Sequence, residues 1–289
     1  MELDADRPRG AVPRPPISFI VAALLEVSGG RALAAPYIAA IDWILMACWA
    51  LALGGTFALT AGAVELLCPS YRTLRGKNGT RTAYLIGYEA SCLLSNFYLA
   101  TAGAIAWFFL DLDAALHAEI PFAVVHILYP MLAHLISDLA IAVFLPEVRE
   151  PAIIVHHVLT LILGVLALSN FAHFYCIFFA GLCELSNVPL AVLEVFKLVP
   201  DMKALHPQLV VRARHTFSLL FIPLRLIYWP LVSHSFWRAS LTALGSGAEF
   251  NAVILFYLLA NGSLTALQFA WGAQLIRGYL FRSRREKEE

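Results

Sequence analysis

Apolar residues fall along this chain in long blocks, separated by short clusters of Pro, Gly and charge. The blocks lie at roughly 38–66, 84–110, 121–145, 152–169, 171–198, 213–236 and 249–276, and most reach the roughly 20 residues a helix needs to cross a bilayer. The punctuation agrees with these limits. Pro69, Gly76 and Gly79 close the first block, and Asp111 and Asp113 follow the second. Pro146 and Pro151 bracket the turn before the fourth, Pro200 and Pro207 mark the longest internal loop, and Gly245 and Gly247 precede the last. Ser169 to His173 form a tight connection, and the pattern leaves open whether the short fourth block stands apart from the fifth. It predicts an all-α, polytopic membrane protein with about seven transmembrane helices.

Composition supports that class. Of the 289 residues, 60% are hydrophobic and 14% charged, against roughly 25% charged in a soluble domain. The net charge is zero, so nothing points to nucleic acid. Cys48, Cys68, Cys92, Cys176 and Cys183 lie in or beside apolar blocks without metal-ligand spacing, and read as small buried residues rather than a disulfide framework or metal site. Cys68, at a helix end, is a candidate for S-palmitoylation.

Charge also sets orientation. Arg72, Arg75, Lys77 and Arg81 fall in the first loop. Lys203, Arg212 and Arg214 follow the fifth block, and Arg277, Arg282, Arg284, Arg285 and Lys287 the seventh. With seven spans all three groups share one side, which the positive-inside rule makes cytosolic. Arg7, Arg9, Arg14 and Arg31 oppose this, but are outvoted. The Asn78-Gly79-Thr80 sequon would then lie in a cytosolic loop and go unused. The lead holds a short apolar piece, Ile17 to Leu25, which is expected to be interfacial or disordered rather than a cleaved signal peptide ending near Ala32-Leu33-Ala34.

Polar residues inside the blocks cluster in depth. At 1.5 Å per residue, His156 and His157 lie roughly 7 Å from the cytosolic start of their helix. Glu184, Asn187, Asp138, His134 and Glu89 come out in the same half of the bilayer, with Arg225 nearer the middle. Ala180, Gly181, Glu184, Asn187 and Ala191 form a small and polar stripe. Glu89, Cys92, Asn96 and Gly103 form a second; Asn261, Thr265, Gln268 and Gly272, with Trp271 alongside, form a third. Any one stripe could serve helix packing alone. Three at one depth beside two adjacent imidazoles, which are costly in hydrocarbon, predict an enclosed polar cavity. Adjacent residues lie about 100° apart on a helix, so one histidine can face the cavity while the other meets a supporting partner. Asp138 could pair with a histidine, and Arg225 could neutralise a carboxylate or anchor a ligand.

The run Pro146-Glu147-Val148-Arg149, then His156-His157-Val158-Leu159-Thr160, then Glu184-Leu185-Ser186-Asn187-Val188-Pro189, resembles the TLC-domain family. So do Arg225 and Leu267-Gln268 with Trp271. The resemblance covers a TLC domain over 84–280; the apolar blocks and charges set off a Pro/Arg-rich lead over 1–37, a first transmembrane helix with its basic loop over 38–83 and a charged tail over 281–289. The resemblance implies that the last six helices form a barrel around a lipid-sized cavity, in the endoplasmic reticulum or a related membrane; the basic tail makes the C-terminus cytosolic. Ceramide synthases of this family transfer an acyl group from acyl-CoA to a sphingoid amine and need paired histidines, which match His156 and His157. They also carry His-Asp followed three residues later by Asp. Here Cys183-Glu184 and Asn187 stand there, closer to TLC proteins outside the synthase branch that are tied to membrane lipid composition and trafficking.

Two functions therefore compete. One is acyl transfer in lipid metabolism, with His156, His157, Asp138 and Glu184 as catalytic candidates. His134, Asn187, Arg225, Gln268, Trp271 and Glu89 are then the substrate-binding candidates, and acyl-CoA a co-substrate rather than a resident cofactor. The other is a lipid-binding or lipid-regulating protein with the same cavity and no chemistry. Either way the expected partners are membrane lipids or fatty acyl chains, with a homo-oligomer left open. A retinal protein is disfavoured because Lys77, Lys197, Lys203 and Lys287 all lie outside the seventh block. No inverted repeat of hydropathy suggests a transporter.

Overall fold

The computed structural model describes residues 41–245 and 251–288, with side chains as far as residue 278. The lead over 1–37 and the tail side chains lie outside the described residues. Seven apolar helices follow in order: α1 Trp43–Leu67, α2 Thr82–Phe109, α3 Pro121–Phe144, α4 Pro151–Ala167, α5 His173–Leu198, α6 Pro207–Gly245 and α7 Asn251–Glu288. Six are long and apolar enough to cross a membrane. The exception, α4, has 17 residues and reaches about 25 Å, short of a roughly 30 Å hydrocarbon core. Among the described residues the only strand-like pairing is an isolated bridge between Arg75 and Arg81.

Proline and capping chemistry fix the helix starts. Pro121, Pro151 and Pro207 occupy first-turn positions, where the missing N–H costs nothing. Asp42 caps α1 by accepting from the Leu45 N–H at 3.0 Å. The break between α4 and α5 is genuine. Asn170 and Ala172 both take left-handed backbone angles, φ 60° and 59°, which a helix of L-residues does not continue through. His173 locks the corner: its Nδ1 accepts from the Ile120 N–H at 3.0 Å, and its Nε2 donates to the Ala167 carbonyl at 2.8 Å. Glu150, just before α4, pairs with Lys197 at the end of α5, so the two helices run antiparallel.

Helices α3, α5 and α6 are not uniform. Each contains a π-helical stretch, at Val124–Leu128, Ile177–Gly181 and Ile222–Tyr228. In α5 the wide turns pass directly into a tight 3-10 stretch, Leu182–Ser186. This irregularity lies where α2 and α5 meet backbone to backbone. A Cβ added at Gly103 would stand 2.2 Å from the Leu182 nitrogen. Helix α1 packs against α2 and α3 on one side. On its other side Ile44, Leu51, Leu59 and Leu66 are each more than 70% exposed, an apolar face suited to lipid rather than water.

The loops at the basic end are tied together. Glu147 accepts from the Thr80 hydroxyl at 2.6 Å and from the backbone N–H groups of Asn78 and Thr80 at 3.0 and 3.2 Å. Burial works against a charged Glu147 carboxyl. The Thr80 hydroxyl and the backbone donors outweigh it and hold its pKa below the ordinary range.

Candidate functional site

A cavity of about 130 Å³ lies among α3, α4, α5, α6 and α7, with Leu99 of α2 also in its wall. One buried water needs roughly 10–15 Å³ on such a scale, so the space is larger than a single-water void. Its wall is divided by chemistry. His134, His156, His157, Glu184, Asn187 and Arg225 make a polar part, and Tyr175, Phe179, Trp229, Phe236 and Tyr257 contribute an aromatic part. An apolar body with a few convergent polar groups is the usual form of a ligand site.

The histidines face different surroundings. His157 donates from Nδ1 to Asp138 Oδ2 at 2.8 Å. Asp138 is buried on α3, and its other oxygen, Oδ1, meets the Cys92 thiol at 3.7 Å. Tyr88 and this carboxylate line one cleft. With Nδ1 engaged, His157 keeps the Nε2 lone pair free, the tautomer following from the bond to the carboxylate. His156 Nδ1 is buried and has no hydrogen-bond partner among the described residues. Its ring meets Trp271 edge-on at 5.9 Å. Thr160 turns inward on its own helix and donates to the His156 carbonyl at 2.8 Å.

Arg225 organises the opposite wall. It is 5% exposed. Nε donates to Ser186 Oγ at 2.8 Å, Nη2 to the Cys183 carbonyl at 3.1 Å and to Glu184 Oε1 at 3.5 Å, and Nη1 to Gln268 Oε1 at 3.5 Å. Asn187 Nδ2 donates to the other Glu184 oxygen. Glu184 is thus held by an arginine and an amide, not by the histidines. The 3-10 turn of α5 makes this possible, because it brings the Cys183 carbonyl and the Ser186 hydroxyl to one guanidinium.

Six of the ten candidate residues line the cavity: His134, His156, His157, Glu184, Asn187 and Arg225. Asp138 stands behind His157, and Gln268 and Trp271 stand behind Arg225 and His156. Glu89 is displaced from the expected grouping. It lines an adjoining polar cleft with Asp138, Glu194 and Lys197, which His134, His157 and Asn187 border as well as the cavity, because equal depth along a helix does not fix the direction a side chain faces. The three stripes divide similarly. Ala180, Glu184 and Asn187 line the cavity, whereas Gly181 faces Gly103 and Ala191 faces the cleft. On α7, Asn261 lines the cavity, Thr265 accepts from Trp229 Nε1 at 2.9 Å, and Gly272 makes room for Leu226.

Sequence reasoning missed Ser186 as a partner of Arg225, and the aromatic wall altogether. Ser186 stood inside the Glu184–Pro189 motif and could have been tested against Arg225 as a buried hydroxyl. Nothing in the spacing of Tyr175, Phe179, Trp229, Phe236 and Tyr257 distinguishes a cavity wall from ordinary packing.

No curated protein and no solved structure matches the chain. A protein-family model described as the TLC domain matches residues 88–277, which hold α3 to α6 whole, most of α2 and α7, and every candidate residue above. On that match, and with the apolar helices already described, the chain belongs to the TLC-domain family as a multi-pass membrane protein.

Proposed function

We propose that this protein acts in membrane lipid metabolism by transferring an acyl group at its paired histidines, with His157 as the reacting imidazole and Asp138 as its positioning partner. The observation that carries the reading is the 2.8 Å bond from His157 Nδ1 to the buried Asp138 carboxylate, beside a mainly apolar cavity with a cluster of polar groups in its wall. An imidazole oriented in this way presents Nε2 either as a base toward an amine or hydroxyl, or as a nucleophile toward an acyl carbonyl. In the nucleophilic route Nε2 would bond to the carbonyl carbon of acyl-CoA as the bond to the thioester sulfur breaks and CoA leaves as its thiolate; the acceptor amine or hydroxyl would then bond that carbon as the Nε2 bond breaks, its proton passing to the thiolate or the released imidazole. The aromatic wall would hold the acyl chain. Arg225 engages all but one of its N–H donors within the protein, which makes it a scaffold for Glu184 more than a headgroup clamp. The proposal includes the endoplasmic reticulum or a related endomembrane, with the histidines toward the cytosolic leaflet and the C-terminus cytosolic, on the strength of the basic loops.

One observation favours a second reading. Glu184 is committed to Arg225 and Asn187, so α5 offers the histidines no carboxylate of the kind its position suggests. The cavity would then hold a lipid without reacting.

Native mass spectrometry of the purified protein, beside a His156→Ala/His157→Ala double variant, separates the two. A covalent acyl adduct confined to the parent supports transfer, as does product formation lost in a folded His157→Ala variant. A bound lipid with no adduct, and product levels indifferent to His157→Ala, would leave only the lipid-holding reading.

A further inference from the structure

We propose that Cys92, His134 and Asp138 form a binding site for a divalent cation of the zinc type. Donor atoms of these three side chains lie within 4.8 Å of one another. A tetrahedral zinc ion bound by sulfur, nitrogen and oxygen sets its ligands about 3.5 Å apart. The Cys92 Sγ to Asp138 Oδ1 distance, 3.7 Å, already meets that spacing. The remaining pairs, within 4.8 Å, would close by at most about 1.3 Å, within the reach of side-chain rotation. His134 and Asp138 stand four residues apart on α3 and so share a face, with Cys92 opposite on α2. Two packed helices therefore present the donors, a more rigid support than a loop.

Three further features fit a cation. The donor set mixes thiolate, imidazole and carboxylate, which suits zinc, whereas magnesium and calcium favour oxygen alone. The supporting bonds are present, since Asp138 accepts from His157 on Oδ2 while Oδ1 points to Cys92. A cation on Oδ1 leaves that bond intact, so the carboxylate can bridge the metal and His157. An access route exists as well. The polar cleft passes from Glu147 and Glu150 at the loop end, past Glu89, Glu194 and Lys197, to all three donors. Carboxylates outnumber the one lysine there, a field that attracts cations.

Binding forms bonds from the metal to Sγ, a His134 ring nitrogen and an Asp138 oxygen, and the Cys92 thiol proton leaves through the cleft. The fourth tetrahedral position stays open to water or a ligand group. His134 borders both the cleft and the main cavity, so that position is accessible from either space. The site does not depend on acyl transfer, and its test involves no turnover.

The test is a titration of the chelator-treated, full-length protein in detergent with Co²⁺ as the probe, followed by Zn²⁺. The expected result is stoichiometric Co²⁺ binding with a thiolate-to-cobalt charge-transfer band, displaced by Zn²⁺. Cys92→Ser should abolish the band, His134→Ala should weaken binding by more than about tenfold, and Cys183→Ser should leave both unchanged. No band in the parent protein overturns the site, and so does a band that persists in Cys92→Ser. Should Cys92→Ser fail to fold, His134→Ala and Asp138→Asn decide: parental affinity in both removes the proposal.

Discussion

Arg225 shows what one buried charge demands. A guanidinium in the bundle interior has to find a counter-ion and acceptors for its planar donors, and it does so with Glu184, Ser186, the Cys183 carbonyl and Gln268. Arg225→Ala strands the Glu184 carboxylate, and loss of one partner of a buried pair costs about 3–5 kcal/mol. Thermal unfolding in detergent should show a large fall in Tm. Arg225→Lys should recover only part of it, because an ammonium cannot reach the same acceptors in one plane. A lysine variant with the parental Tm would remove the geometric account, because charge alone would then suffice. Histidine presents the opposite case. His156 and His157 are neighbours in sequence, yet one is fixed by Asp138 and the other has a bare Nδ1. Their helix supplies the 100° difference in direction, and only the facing helices give it a meaning.

Among the elements, the contact between α2 and α5 is the least tolerant. Gly103→Ala would push a methyl group onto the Leu182 nitrogen and the Gly181 carbonyl carbon, at 2.2 and 2.5 Å. Backbone atoms cannot swing aside as a flexible side chain does. We expect Gly103→Ala to destabilise the protein by about 1–3 kcal/mol or more, and to disturb the 3-10 turn that serves Arg225. Gly62→Ala on α1, where an added Cβ meets nothing within 4 Å, is the control and should be near neutral. Similar Tm values for the two variants would mean that the helices do not approach so closely.

The tie between the first loop and the Pro146–Val148 turn carries a pH signature. The folded pKa of Glu147 lies below its ordinary value. Its contribution to stability is therefore present above the unfolded carboxyl pKa of about 4.3 and is lost as pH falls through the folded value. Glu147→Gln should lower stability at neutral pH and flatten the acid limb of a Tm-versus-pH curve. A variant whose acid limb matches the parent would remove the tether from the account.

For the whole molecule, the question is which end faces the cytosol. The loops at one end hold Arg72, Arg75, Lys77, Arg81, Arg149 and Lys203. They are joined by the bonds from Thr80 to Glu147 and between Tyr71 and His206. With that end cytosolic, Asn78 never meets the glycosylation machinery, although its sequon is intact and its side chain exposed. Expression in microsomes should give one band that glycosidase does not shift. A shift abolished by Asn78→Gln would invert the topology and move the histidines to the lumenal leaflet.

The seven apolar blocks were legible in the sequence, though the sixth helix, Pro207–Gly245, extends past its block at both ends; such blocks depend only on rise per residue and on the solvent a side chain tolerates. The TLC resemblance rested on motifs within single helices, His156-His157 and Glu184–Pro189, and the family match covers them. Partner choice was not legible. The sequence allowed Asp138 to serve either histidine and Glu184 to serve the histidines or Arg225. The packing of α3 on α4 and the irregular turns of α5 gave Asp138 to His157 and Glu184 to Arg225. Glu89 went to the cleft and the aromatic residues to the cavity for the same reason. A sequence carries depth along each helix, but the rotation of one helix against another is set by contacts made after all of them are assembled.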